Sequence, residues 1–349
     1  MNKKVTIQDI ADALGISRNT VSKAINNSEG LADATREKIL QKAIEMGYKQ
    51  FSYAKSLGSI SASSEVERPN ATGFQGEIAL LTGSFLTHTH FASLMLDKFQ
   101  NEISQLGYTM NTHRVTDSDF VNMTLPVTLH MDQVKAIICI EMFNWDYDEM
   151  LCSLDIPILF VDGPAKIGGR SLPADQLYMD NTNAVTQFVN DMLDKGLTRI
   201  GFIGNYDHCQ SFYERYTAFY LTMVMAGHKV EDRFVIKYNW HSDMQDQISA
   251  LKELPDVFVC ANDFVAADAM QALAAVGKHV PDDVMLCGFD DSAESRLSKP
   301  PMTTVHIHTQ IIAFSAVHLL ISRIKEPSLD FRTVHTETDL IYRETAKKD

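Results

Sequence analysis

Two hydrophobic rhythms run along this chain, and one gives way to the other near Glu77. In the first fifty residues the apolar positions recur at helical spacing. Thr6 precedes a run in which Ile10, Ala13 and Leu14 form a stripe and Asp9 stands three residues after a capping hydroxyl, which predicts a short first helix. Gly15 supplies a turn, Ile16 an apolar plug, and Ser17 a cap for a second helix whose buried stripe is Val21, Ala24 and Ile25. A third amphipathic helix is predicted from about Asp33 to Met46, with Ile39, Leu40, Ala43 and Ile44 inward and Gly47 closing it.

From Glu77 onward the pattern becomes short apolar runs alternating with amphipathic helices, the signature of a doubly wound parallel sheet. The predicted strands are Ile78 to Leu81, Ala136 to Ile140, Ile158 to Val161, Ile200 to Ile203, Val257 to Cys260 and Met285 to Phe289. Several helices between them end at Gly107, Gly196, Gly227 and Gly277, residues that accept the left-handed backbone of a helix C-cap. Ligands in such sheets sit beyond the carboxyl ends of the strands. That rule singles out Asp162, the pair Asn262 and Asp263, and the pair Asp290 and Asp291. Each also suits a local role as cap or turn former, but together they converge on one cleft.

Charge sharpens the division. The 349 residues carry a net charge of −14, yet residues 1–58 hold nine Lys/Arg against six Asp/Glu while the rest hold 22 against 39. A basic head on an acidic body can still grip phosphate, because a Debye length of roughly 8 Å screens the distant acid. The second helix leaves Ser17, Arg18, Asn19, Ser22, Lys23 and Asn26 on its outer face, all able to meet base edges or phosphates.

Other chemistry is excluded or bounded. The five cysteines lack paired spacing and read as reduced core thiols. His88 and His90 stand two apart on one loop without a completing carboxylate or thiol, so neither a metal nor a cofactor is expected. Nucleophile-elbow, zincin, Walker and dinucleotide motifs are all missing, and no enzymatic activity is expected. No run crosses a bilayer, and Met1 to Thr6 lead into a helix without a signal-peptide core, so the expected location is the cytoplasm.

The wording of the first fifty residues resembles the lactose-repressor (LacI/GalR) family almost position by position: Val5-Thr6-Ile7, Asp9-Ile10-Ala11, Gly15-Ile16-Ser17, Thr20 to Asn26, and Thr35-Arg36. By that resemblance Arg18, Asn19 and Lys23 read bases, while Thr6, Ser17, Thr20, Ser22 and Thr35 contact or buttress phosphates. Lys23 stands where the family usually has Arg and lacks its planar fork, which implies an altered operator preference. Tyr53 to Leu57 resembles the family's hinge helix, with Leu57 as the minor-groove wedge. Lys49-Gln50 replaces the usual Pro-Asn, and residues 58–76 form a long Ser- and Gly-containing linker.

The resemblance implies an all-α helix-turn-helix headpiece over 1–57 and, over 77–345, a two-lobed α/β domain of the periplasmic-binding-protein type. The lobes expected are 77–176 with 306–326 and 177–305 with 327–345. Glu214-Arg215-Tyr216 is close to a family stretch that makes Arg215 the effector anchor, and Trp240 falls where sugar-binding members place a stacking ring. His90 and Phe91 are expected to line the cleft with Asp162, Asn262 and Asp290. The implied partners are palindromic operator DNA, a small effector such as a sugar, and a second copy of the chain. The chain stops at Asp349 without a leucine heptad, which suggests a dimer. The alternatives are a transport solute-binding protein, which has no use for residues 5–47, or a regulator answering to a nucleobase or protein.

Overall fold

The structure is a computed structural model describing residues 5–25, 35, 38–39, 42–43, 46, 73–83, 90–239 and 243–347. The chain forms two units, Met1–Gly73 and Phe74–Asp349.

In the N-terminal unit, Thr6 and Asp9 form a reciprocal capping box that starts α1, Ile7–Leu14. The Thr6 backbone N–H donates to Asp9 Oδ2 at 2.7 Å, and Asp9 N–H donates to Thr6 Oγ1 at 3.3 Å. Gly15 ends the helix at φ 65°, a conformation that carries a Cβ penalty for other residues. Ser17 Oγ accepts the Thr20 N–H at 3.1 Å and opens α2, Arg18–Ile25. Ile10, Ala11, Val21, Ala24, Ile39 and Ala43 are buried together, and Thr35, Lys38, Ile39, Lys42, Ala43 and Met46 are helical as expected for a third helix. One expectation fails. Ala13 is exposed and Ala11 is buried instead, because the stripe runs through Ile7, Ile10, Ala11 and Leu14 and leaves Ala13 a third of a turn away.

The second unit contains two parallel sheets. The first has the order β11-β5-β4-β3-β1-β2 and comprises β1 Gly76–Thr82, β2 Tyr108–Arg114, β3 Val134–Ile140, β4 Ile158–Val161, β5 Asp175–Met179 and β11 Thr333–Thr336. Its helices are α3 His90–Gln105, α4 Asp117–Asn122, α5 Trp145–Cys152 and α11 Thr309–Lys325. The second sheet has the order β7-β6-β8-β9, from β6 Ile200–Ile203, β7 Val235–Ile236, β8 Val257–Cys260 and β9 Met285–Cys287. Around it lie α6 Asn183–Asp194, α7 Gln210–Met225, α8 Met244–Ser249, α9 Asp263–Ala275 and α10 Ala293–Leu297. The glycines that end α3, α6, α7 and α9 all have φ between 72° and 85°. The five cysteines are free, four of them buried. Among the described residues no helix is long and apolar enough to cross a membrane.

The lobes are joined through residues 180–182 and an antiparallel pair, β10 Thr304–Ile307 and β12 Thr338–Ile341. The final return differs from the boundary expected at residue 327. Residues 333–336 pair with β5 of the first lobe, so the chain crosses only after Thr336. The cause is an ion cluster on Asp175, which is 1% exposed: Arg323 Nη2 donates to it at 3.0 Å and Arg332 Nη2 at 2.8 Å. The Arg332 backbone N–H adds a third bond at 2.8 Å, pinning this segment beside β5. Burial opposes ionisation of Asp175, but the two guanidinium partners hold its carboxyl below the usual range.

Candidate functional site

The outer face of α2 is built by exclusion. Once Val21 and Ala24 are spent on the core, Ser17, Arg18, Asn19 and Lys23 stand exposed, with Thr20 and Ser22 half-buried at the margin. The hydroxyls of Ser17 and Thr20 lie 2.7 Å apart, so the two stiffen each other at the helix start. Thr6 is exposed but its hydroxyl is engaged by Asp9 at 2.7 Å, and Thr35 is exposed on its own helical segment. This surface offers a guanidinium and an amide in the first turn of a short helix and an ammonium in its last turn, a donor set suited to base edges. Asn26 and Leu57 lie outside the described residues, as does most of the expected linker.

In the second unit the strand-end residues do gather. Arg215, on α7, is 3% exposed. Its Nε donates to Asn181 Oδ1 at 2.9 Å and its Nη1 to the Ala261 carbonyl at 2.6 Å, while Asp290 Oδ1 stands 3.8 Å away. The guanidinium lies 3.5 Å from the centroid of the Phe289 ring, so it is fixed on both edge and face. Burial works against its charge, and Asp290 beside it does most to restore it.

Asp162 follows β4 at φ 61° and Asp290 follows β9 at φ 119°. Such backbones are strained for non-glycine residues and concentrate at functional sites. Asp162 Oδ1 accepts the Gly163 N–H at 2.8 Å and, from the other lobe, the Ser211 N–H at 3.2 Å. Burial raises the Asp162 carboxyl, and the Gly163 and Ser211 bonds and the Arg215 charge oppose the rise. Burial also pushes Asp290 well above the usual carboxylate range; Arg215 counters it, while Asp263 and Asp162 add to it. Asp290 therefore readily holds a proton.

The two lobes touch directly at this cleft. The Gln210 N–H donates to the Gly163 carbonyl at 2.8 Å, and the Gln210 side-chain carbonyl accepts the Lys166 N–H at 2.8 Å. Phe143 of the first lobe meets His208 of the second edge-on at 4.8 Å.

Other strand-end residues have local work. Asn262 Oδ1 caps α9 by accepting the Val265 N–H at 2.9 Å, though the residue remains half-buried at the end of β8. Asp263 is fully buried and accepts Thr304 Oγ1 at 2.5 Å and the Ser292 N–H at 2.8 Å, tying β8 to the crossing strand. A Cβ on Gly288 would come within 2.2 Å of that carboxylate, which explains the glycine. Asp291 turns away from the cleft into an ion cluster with Arg343 at 2.5 Å and His306 at 2.9 Å. Trp240 lies outside the described residues; His90 and Phe91 begin α3, but their side chains are outside them too. The residues that sequence reasoning overlooked are Asn181, Gln210, Ser211 and Phe289. Asn181 is fully buried and hydrogen-bonds Arg215 and Glu214, whereas in the sequence Asp180-Asn181-Thr182 looks like a turn.

Comparison with known proteins places both units. Residues 6–50 match the bacterial regulatory proteins of the lacI family, and residues 189–346 match the periplasmic binding protein-like domain. The chain is 25% identical over 351 residues to the HTH-type transcriptional repressor PurR of Vibrio parahaemolyticus, spanning 98% of this chain and 99% of that one. PurR of Mannheimia succiniciproducens is 24% identical over 353 residues, at 98% and 99% coverage. Among solved structures, the transcriptional regulator CelR in complex with cellobiose superposes with a TM-score of 0.69 at 21% identity, over 98% of this chain and 100% of that one. The lac repressor dimer bound to operator and an anti-inducer gives 0.64 at 19% identity, over 99% and 100%. At those identities the likeness to solved structures is one of fold. The chain therefore carries a domain of the lacI family of bacterial regulatory proteins at residues 6–50 and a periplasmic binding protein-like domain at residues 189–346, and repressor relatives align with it along its length.

Proposed function

We propose that this chain is a cytoplasmic, homodimeric repressor that grips a palindromic operator and changes its grip when a small molecule enters the cleft between its lobes. The observation that carries this reading is the exposed trio Arg18, Asn19 and Lys23 on a capped second helix within the segment matching the lacI family. In this reading Arg18, Asn19 and Lys23 meet base edges, Thr6, Ser17, Thr20, Ser22, Asn26 and Thr35 position the backbone, and Leu57 wedges the minor groove. Arg215, Asp162, Asp290 and Asn262 hold the effector, with His90, Phe91 and Trp240 completing its walls. The cellobiose in the CelR structure supports a sugar; the PurR relatives keep a nucleobase as the second reading.

The mechanism is linkage. Ligand contacts made to both lobes alter their relative pose, and in a symmetric dimer that motion resets the spacing of the reading heads. A coupling of about 1 to 3 kcal/mol changes operator affinity roughly 5- to 150-fold. The test is selection of preferred duplexes from a randomised palindromic pool, followed by anisotropy titration with and without candidate metabolites. A preferred duplex that random competitor cannot displace is expected. Equal affinity for all duplexes under every condition defeats the reading.

A further inference from the structure

One helix of the second lobe leaves an apolar face in solvent. Among the described residues thirteen large apolar side chains are exposed; four of them, Tyr220, Leu221, Val224 and Met225, fall on the last turns of α7, and no other helix or strand carries more than one. They are 43, 50, 48 and 87% exposed. With the half-buried Tyr213, Tyr216 and Thr217 they recur at three- and four-residue steps along one side of the helix, and none of the seven is charged. A contiguous apolar surface of this kind marks an interaction site on a soluble protein.

Beside the stripe, between α6 and α7, runs a groove of about 550 Å³. Its floor is Ala218 and Thr222, both buried, and its rim is the row Thr217, Leu221 and Met225. The one charged residue lining it, Glu214, is spent on Asn181 at 2.8 Å, Gln210 at 2.9 Å and His335 at 3.5 Å. Rim and floor are adjacent on the same helix. About a two-fold axis running along α7, the rim of one copy lies over the groove of another and the reverse holds at the same time, the self-complementarity that an isologous contact requires.

Charge selects the same occupant. Residues 59–349 carry 22 Lys/Arg against 39 Asp/Glu, so two copies repel over most of their surface and meet at least cost where neither bears charge. The size fits a second, weaker contact rather than a permanent dimer. The 16 residues of α7 make a helix about 24 Å long, and two helices side by side are about 20 Å wide, so the face offers about 500 Å² per copy. The pair buries about 1,000 Å², the lower limit of a specific interface and about half of what obligate homodimers begin at.

We propose that the α6–α7 face is a second self-association surface, through which one homodimer pairs with another. The proposal rests on the reading above only for its starting dimer. The full-length protein is sedimented to equilibrium from about 1 to 200 µM, at low and at high salt. The mass is expected to climb reversibly beyond two chains in the upper part of the range, and to climb earlier at high salt, because screening weakens the repulsion between acidic bodies and leaves the apolar contact intact. Met225→Glu and Leu221→Glu are each expected to weaken this association at least tenfold without changing the melting temperature, since both side chains are exposed in the single chain. Leu329→Glu places the same charge on an exposed apolar residue of the first lobe and is expected to change nothing. A parent that gains no mass beyond two chains overturns the proposal and leaves operator reading and effector control untouched. Variants reduced to single chains overturn it as well, because the face would then be the primary dimer contact. Association lost equally in Leu329→Glu, or kept in both α7 variants, removes the assignment to this face. The parent titration needs no variant and can defeat the proposal alone.

Discussion

The side chains proposed to read DNA stand in solvent on the outside of a finished three-helix core, whereas those proposed to hold the effector are wired into the interior of the second unit. Arg18, Asn19 and Lys23 are exposed, and the core beneath them is complete without them. Arg215 is 3% exposed and links Asn181, the Ala261 carbonyl, Phe289 and Asp290 in one network. The difference teaches that operator choice can change by surface substitution at small structural cost, while effector choice cannot change without disturbing the fold.

The largest break in that contrast is expected from Arg215→Ala. It strands buried partners, so the second unit loses about 3 to 5 kcal/mol in urea unfolding and the effector response disappears, while operator binding without effector persists. A variant as stable as the parent would show that the cleft is as tolerant as the head.

Asp148 gives the next effect. It is fully buried, neither carboxylate oxygen has a hydrogen-bond partner, and burial pushes its pKa up to about 8. Because the folded pKa is raised, folding takes up a proton: the contribution is full below the unfolded value near 4 and is lost as pH rises towards 8. Asp148→Asn is therefore expected to remove a slope of about 1.4 kcal/mol per pH unit between pH 5 and 7 and to stabilise the second unit by about 3 kcal/mol at neutral pH. Parallel unfolding curves of the two proteins at pH 5 and 7 would contradict this.

Arg18→Ala sharpens the other side. It should cost about 1 to 3 kcal/mol at one operator position, measured by competition between duplexes differing at that base pair, with unfolding stability altered by less than about 0.5 kcal/mol. The smallest effect is expected from Thr6→Ala, which dismantles the capping box and lowers headpiece stability by about 1 kcal/mol in thermal melts without changing which duplex is preferred.

The same contrast explains what the sequence disclosed. Capping at Thr6 and Ser17, the turn at Gly15 and the exposed trio are local events, readable within a few residues of each side chain. The six apolar strands were legible too, and Ile158–Val161, Ile200–Ile203 and Val257–Cys260 agree to the residue. β2 was not, because as an edge strand its residues Tyr108–Arg114 mostly face outward and read as polar. β5 hid for the opposite reason: it opens with Asp175 and Gln176, two polar residues that read as a turn, and Asp175 is satisfied in the interior by Arg323 and Arg332, which arrive from about 150 residues away. Asn181 and Gln210 belong to the same class. Their importance comes from partners in other elements, and no periodicity records a partnership across lobes.

The late return of the chain to the first lobe bears on how the protein is made. α11 packs against α3, β3, β4 and β5, and β11 completes the first sheet, yet both are translated after the whole of the second sheet. A ribosome that has finished β5 has delivered a lobe with one face covered only in part, by α3, and one edge unpaired, the kind of surface that recruits chaperones or invites aggregation. The second lobe waits as well, since Thr345 near the carboxyl end bonds the Leu286 carbonyl at 2.8 Å. The first half is sealed only by residues 309–336 and the second only by Thr345, so a chain cut short before β11 would leave two unfinished lobes rather than one intact and one lost.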